Sequence, residues 1–254
     1  MFKRHLLLHF LLCLLFTLPA FAHAQLPEPS YPGVRRMQVW EAEAQEDSYA
    51  NARHTRTDYY DRNGLLVTRE VFVATGALPS ATHTYRYEGS VLVEEVVYDA
   101  LGVPYYRKVM APNAPRRADY NIFRLAPIRT GVGFLDEVVS ATWNEQDRVS
   151  TLRRRESDGT PVQLSLRYQG ERLIQTNVSV GASHYSRTLS AFTEQGDARL
   201  ERLQAGESLA RSSYLRHEYR YDPWDNWTLR TTFEERGGTF APRNRTTRVI
   251  AYYP

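Results

Sequence analysis

The sequence predicts an all-β chain: repetitive antiparallel β-hairpins forming one extended, twisted sheet, open or partly closed. Three observations carry that reading. An aromatic residue followed by a short Asp/Asn/Gly-containing stretch recurs along most of the chain. The segments flanking these stretches alternate apolar and polar residues with period two, the signature of half-buried strands. The runs that follow these stretches are rich in β-branched and aromatic residues, which suit a pleated, half-buried surface.

The N-terminus stands apart from this pattern. Lys3 and Arg4 precede an apolar run from Leu6 to Phe16, and Ala22-His23-Ala24 forms a small-residue site, so residues 1–24 read as a secretory signal peptide cleaved after Ala24. The apolar run is shorter than the ~20 residues that cross a bilayer. No transmembrane helix is therefore expected after cleavage. Cleavage also removes two basic groups and no acid, so the formal charge falls from +3 to +1. Association driven by net charge, including nucleic-acid binding, is not expected of such a chain. Cys13 is the only cysteine and leaves with the signal, which excludes disulfides, thiolate chemistry and Cys-ligated zinc from the mature protein. Export without disulfides fits a periplasmic or secreted bacterial protein.

Residues 25–34, rich in Pro, read as a flexible lead. Residues 35–254 read as a single domain. Its first part, 37–53, holds many Ala, Glu and Gln and could be helical, but Met37-Gln38-Val39-Trp40-Glu41-Ala42 alternates like a strand, the reading preferred. Turn cassettes then begin at Tyr60, Tyr87, Tyr98, Trp143, Tyr168, Phe192 and Tyr221, spaced by 27, 11, 45, 25, 24 and 29 residues. That irregularity indicates diverged repeats with insertions. In each cassette Asp, Asn and Gly supply the positive φ angles and side-chain-to-backbone bonds of a tight reversal. Val162, Leu164, Leu166 and Tyr168 should share one face, with Ile174, Val178 and Val180 on one face of the return strand. Trp227, Leu229, Thr231 and Phe233 should likewise oppose Thr228, Arg230, Thr232 and Glu234. A Pro-rich stretch near 111–119 interrupts the pattern and reads as a surface loop.

These residues resemble the YD-repeat, or rearrangement-hotspot, family. Tyr219-Arg220-Tyr221-Asp222 resembles the opening of its repeat, Asp147-Arg148-Val149-Ser150-Thr151-Leu152 its second half, and Gly170-Glu171-Arg172-Leu173 a looser version. The segment from Tyr219 to Arg230 is similar to an element that closes many small exported bacterial proteins of this type, with Asp225 standing where glycine is usual. The resemblance implies a repetitive hairpin sheet, export and a role in binding or in the cell envelope. Encapsulation of a toxin, which large members perform, is not implied, because this chain has too few units.

A search for chemistry finds no catalytic motif. His54, His83, His184 and His217 have no partner at metal-ligand spacing, and no zinc-protease, nucleophile-elbow or phosphate-loop sequence is present. Gly181-Ala182-Ser183-His184 reads as a surface turn, and Asp61-Arg62-Asn63-Gly64 as a hairpin turn, not a calcium loop. No cofactor and no metal are expected. Adjacent acids such as Glu94-Glu95 point to opposite faces of a strand, so a carboxylate hydrolase would need partners from separate strands. The candidate binding residues are Tyr219, Arg220, Tyr221 and Trp224, the last in a turn where burial is not expected. The expected function is that of a non-enzymatic envelope binding or structural module with an envelope protein or polysaccharide as partner. An envelope hydrolase and a small outer-membrane β-barrel are the alternatives. Charges at Arg69, Glu94 and Glu95 weigh against the barrel, and the oligomeric state is left open.

Overall fold

The structure, a computed structural model, describes residues 30–43, 51–73, 78–89, 91–111, 119–125, 133–146, 148–155, 159–206 and 212–254. The signal segment, most of the Pro-rich lead and residues 112–118 lie outside these. The described residues form sixteen strands. The first half holds β1 (Val34–Glu43), β2 (Arg53–Tyr60), β3 (Leu66–Val71), β4 (Ala81–Glu88), β5 (Val91–Asp99), β6 (Pro104–Ala111), β7 (Asp119–Leu125) and β8 (Gly133–Trp143). The second holds β9 (Val149–Arg155), β10 (Pro161–Gln169), β11 (Arg172–Val180), β12 (Ser183–Phe192), β13 (Ala198–Ala205), β14 (Ser212–Tyr221), β15 (Trp227–Arg236) and β16 (Thr239–Tyr252).

Each strand pairs antiparallel with its neighbours in sequence, and β1 pairs with β16 as well as with β2. The expected hairpin sheet is therefore present, and it closes fully into a barrel. Closure satisfies the edge strands' backbone groups with each other. Residues directly opposite on paired strands share a face. Ile250, Met37, Asp58, Arg69, His83 and Val97 follow one another around the wall in this way. All but Ile250 are buried, which identifies their face as the interior.

The interior is packed on both sides. Val139, Ala141, Val149, Leu152, Val162, Leu164, Leu166 and Val178 form one core, and Val34, Met37, Val39, Tyr60 and Leu66 a second near the closing seam. Each fully buried Val or Leu contributes roughly 1.5–3 kcal/mol relative to exposure. The alternation expected for β10 is the observed one: Val162, Leu164 and Leu166 are buried, while Arg167 is exposed.

A shared local geometry explains the cassettes. Six of the seven cassette aromatics stand where the ladder register shifts: Tyr60 pairs Leu66 while Tyr59 pairs Thr68, and Tyr221 pairs Trp227 while Arg220 pairs Leu229. The same shift occurs at Tyr87, Tyr98, Trp143 and Tyr168, whereas Phe192 pairs Ala198 in a regular register. Each shift is a β-bulge beside the turn, which re-aims the strand that follows.

Two sequence expectations change in detail and a third holds over its described residues. Residues 31–34 are not a flexible lead: the Tyr31 amide donates to the Gly64 carbonyl (3.3 Å), the Tyr31 ring meets Tyr60 edge-on, and Val34 is buried in β1. Residues 37–43 are strand, as preferred, and Arg53 opens β2. At the C-terminus the bulge skips Thr228, so the faces of β15 do not alternate as a straight strand would. Trp227 and Thr232 are buried, and Arg230 opposes the inward Tyr219, whereas Leu229 and Thr231 line an outer groove.

Candidate functional site

Six of the seven cassettes, all but that of Tyr98, join strands at the barrel end that also carries both termini of the sheet. Their turns build the rim there. Where the turn begins with an Asx residue, its side chain caps the backbone. Asp61 Oδ1 accepts from the amides of Asn63 and Leu65, both at 2.9 Å. Asn144 does the same for Gln146 and Arg148, and Asp222 for Trp224 and Asn226. Asp99 repeats the motif at the opposite end.

The Asp222 turn differs from its counterparts in what it presents. Trp224 is 65% exposed, and its ring centroid lies 4.5 Å from that of Tyr252. The Tyr252 hydroxyl donates to Asp222 Oδ2 and accepts from Asn226 Nδ2 at 3.0 Å, which fixes the ring under the tryptophan. Burial, followed by the bond to Asp222, pushes this phenol up to about 12. Asp225 occupies the turn position held by Gly64, Gly102 and Gly196 in sister turns, and has the same left-handed backbone, φ +62°. Its Oδ1 accepts from Gln195 Nε2 of the neighbouring turn at 3.1 Å.

The four sequence-predicted residues separate. Trp224 sits exposed on the rim. Tyr219 and Tyr221 face inward. The Tyr219 hydroxyl donates to the Ala198 carbonyl (2.9 Å), and its ring meets those of Tyr221 and Trp227, both at 6.1 Å. Tyr221 donates to Asp197 Oδ2 (2.9 Å) and receives the Thr193 hydroxyl (3.0 Å). Burial pushes both phenols up to about 12. Arg220 is exposed on the outer wall, in a groove with Glu218, Leu229, Thr231 and Arg245. Sequence reasoning missed Tyr252 and Gln195, which lie 28 residues after and 29 before Trp224. In the sequence, the site is signalled by Trp224 in a turn and by the aspartate in place of glycine at Asp225.

Charged residues inside the barrel form three buried sets. Arg69 Nε donates to Asp58 Oδ1 (2.7 Å), with Arg56 on the other carboxylate oxygen at 2.9 Å. His83 Nδ1 lies 2.9 Å from Glu95, beside Lys108, whose amine burial pushes down to about 8 against the pull of Glu95. Arg187 (2.9 Å) and His217 (3.4 Å) both contact Glu201 Oε2, and His217 Nδ1 lies 3.1 Å from the Thr232 hydroxyl. Burial would raise the Glu201 carboxyl, but the bonds and charges of His217 and Arg187 overcome it and hold it at about 2. Thr232, His217 and Glu201 are 5%, 6% and 8% exposed, so this hydroxyl–imidazole–carboxylate row is closed to a substrate. Removing one partner of such a buried pair would leave an uncompensated buried charge, a strongly destabilising change. His54 stacks between Trp40 and Phe72, and His184 bonds Ser179 at the β11–β12 turn. Among the described residues no group of three His, Cys, Asp or Glu side chains could hold a metal.

Neither a protein-family model nor a curated protein matches the sequence. Among solved structures the chain is similar to a porin-like protein from Bacteroides uniformis, with a TM-score of 0.55 and 13% identity over 88% of this chain and 99% of that one. At this identity the likeness is one of fold. It agrees with the closed antiparallel barrel.

Proposed function

We propose that the chain is an exported, non-enzymatic binding or structural module of the cell envelope, assembled from hairpins like those of the YD-repeat family. The observation that carries this reading is how the barrel distributes its polarity. The described outer wall carries many charged and polar side chains among exposed apolar ones such as Leu200, Tyr214 and Val249, the interior holds the buried apolar clusters, and the exposed aromatic platform stands on the turn rim. On the outer wall Arg86 and Arg107, 55% and 47% exposed, both pair with Glu94. Arg153 donates to Gln163 at 3.1 Å, and Gln175 donates to Asn177. A surface of this chemistry is hydrated, and it leaves the rim as the place for specific contact. The five-residue Asx turns support the family likeness, because a Tyr-Asp start with the Asp capping the turn and a left-handed residue three positions later recur at Asp61, Asp99 and Asp222.

The test is co-purification of the tagged mature chain from its own host's periplasm. A stoichiometric envelope protein or glycan is the expected result. Recovery of the chain alone, with turnover of a defined substrate that survives loss of Trp224, would overturn the reading in favour of an envelope hydrolase.

A small outer-membrane barrel is the second reading, favoured by closure of the sheet and by the fold of the porin-like protein. Such barrels turn an apolar band toward lipid. Ion-paired Arg86, Glu94 and Arg107 stand in that position here, which ranks the reading second. Resistance of the protein to extraction from membranes without detergent would promote it.

A further inference from the structure

We infer that the rim around Trp224 is a carbohydrate-binding platform for a neutral pyranose chain, an inference that rests on the envelope-binding reading above. The first ground is the shape of the platform. One side of the Trp224 ring is backed by Tyr252, which is itself pinned by Asp222 and Asn226, while the residue remains 65% exposed. A rigid, half-supported indole offers an apolar face to the C–H surface of a sugar ring at little ordering cost.

The second ground is what surrounds the ring. Pro223, Asp225 and Gln195 are exposed beside it, and Asp222, Asn226 and Tyr252 lie under it. Asp222 and Asn226 are taken up in holding Tyr252 and the turn, so the exposed Asp225 carboxylate and Gln195 amide are the groups that match the hydroxyls at the edge of a pyranose. A protein partner's anchor sits instead in a well-packed, fully desolvated pocket, whereas this ring stands proud on a turn. The carboxylates also disfavour an acidic sugar by like-charge repulsion.

The third ground is strain. Asp225 holds a left-handed φ of +62° at a position where Gly64, Gly102 and Gly196 adopt +80°, +76° and +93° without penalty. Asp tolerates this conformation less well than Gly, and an outlier kept at an exposed turn points to a use for its side chain. The bond from Gln195 aims that carboxylate along the rim toward the neighbouring turn.

The test is isothermal titration of the mature chain with cellohexaose, maltohexaose and chitohexaose as neutral probes and polygalacturonate as an acidic one. Binding of at least one neutral hexasaccharide is expected, weakened about tenfold or more in Trp224→Ala. Asp225→Gly should melt at a higher temperature than the native chain and still bind several-fold more weakly, which separates loss of the site from loss of the fold. Failure of every neutral probe, preference for polygalacturonate, or native affinity in Trp224→Ala would overturn the inference. If Trp224→Ala and Asp225→Gly still recover a protease-sensitive envelope partner, the binding-module reading stands and the glycan site falls. If the native chain recovers nothing and binds none of the probes, both fall.

Discussion

Single side chains decide the turns. Asp61 satisfies two backbone amides that would otherwise face the rim unpaired. Asp61→Ala should cost about 1–3 kcal/mol in urea unfolding, whereas Asp61→Asn should cost much less, because Asn144 performs the same task in its own turn. Glycines at equivalent turn positions differ in their surroundings. A Cβ on Gly102 meets nothing within 4 Å, so Gly102→Ala should cost only the left-handed conformation, about 1–3 kcal/mol. A Cβ on Gly64 would lie 2.7 Å from Pro32 N and from Tyr31 C, so Gly64→Ala must also displace the N-terminal segment. Its unfolding midpoint should fall well below that of Gly102→Ala. Much of this was readable in advance, since Asp, Asn and Gly have few uses between two alternating runs. The packing of residues 31–34 was not. Pro27, Pro29 and Pro32 suggest a loose tether, and only the tertiary contact between Tyr31 and Gly64 reverses that.

Strands and hairpins show where local pattern ends. β10 and its partner β11 follow the period-two reading because the part that pairs Val162 to Arg167 has a regular register. β15 departs from it after one residue. The bulge opposite Tyr221 skips Thr228 and turns Arg230 and Thr232 inward, a phase change that composition does not encode. The inward row thereby gains Thr232 and completes the Arg187, Glu201 and His217 set. A carboxylate held at about 2 when folded and near 4.5 when unfolded binds fewer protons in the native state between those values. Its contribution is therefore complete above pH 4.5 and is lost as pH falls toward 2. Glu201→Gln should lower stability at neutral pH and flatten its decline across that acid window, measured as denaturant midpoints at several pH values. An unchanged acid profile would remove Glu201 from the account.

Closure belongs to the molecule as a whole. It depends on Val34–Glu43 meeting a strand about 200 residues later, with Met37 opposite Ile250, and no local signal in either strand announces the other. Local patterning therefore predicts hairpins in a sheet that is open or partly closed, and it does not say which face of each strand is interior. The binding residues suffered in the same way. Tyr219 and Tyr221 look like Trp224 in sequence, yet the wall turns them inward while the turn leaves Trp224 out. The central claim is a closed barrel whose packed side is inside and whose charged side meets water. Refolding the mature chain in detergent-free buffer, with sedimentation and far-ultraviolet circular dichroism read together, tests it most directly. The account predicts one discrete soluble species with a β spectrum and a cooperative melt. Aggregation without detergent, and folding only on transfer to micelles, would contradict it.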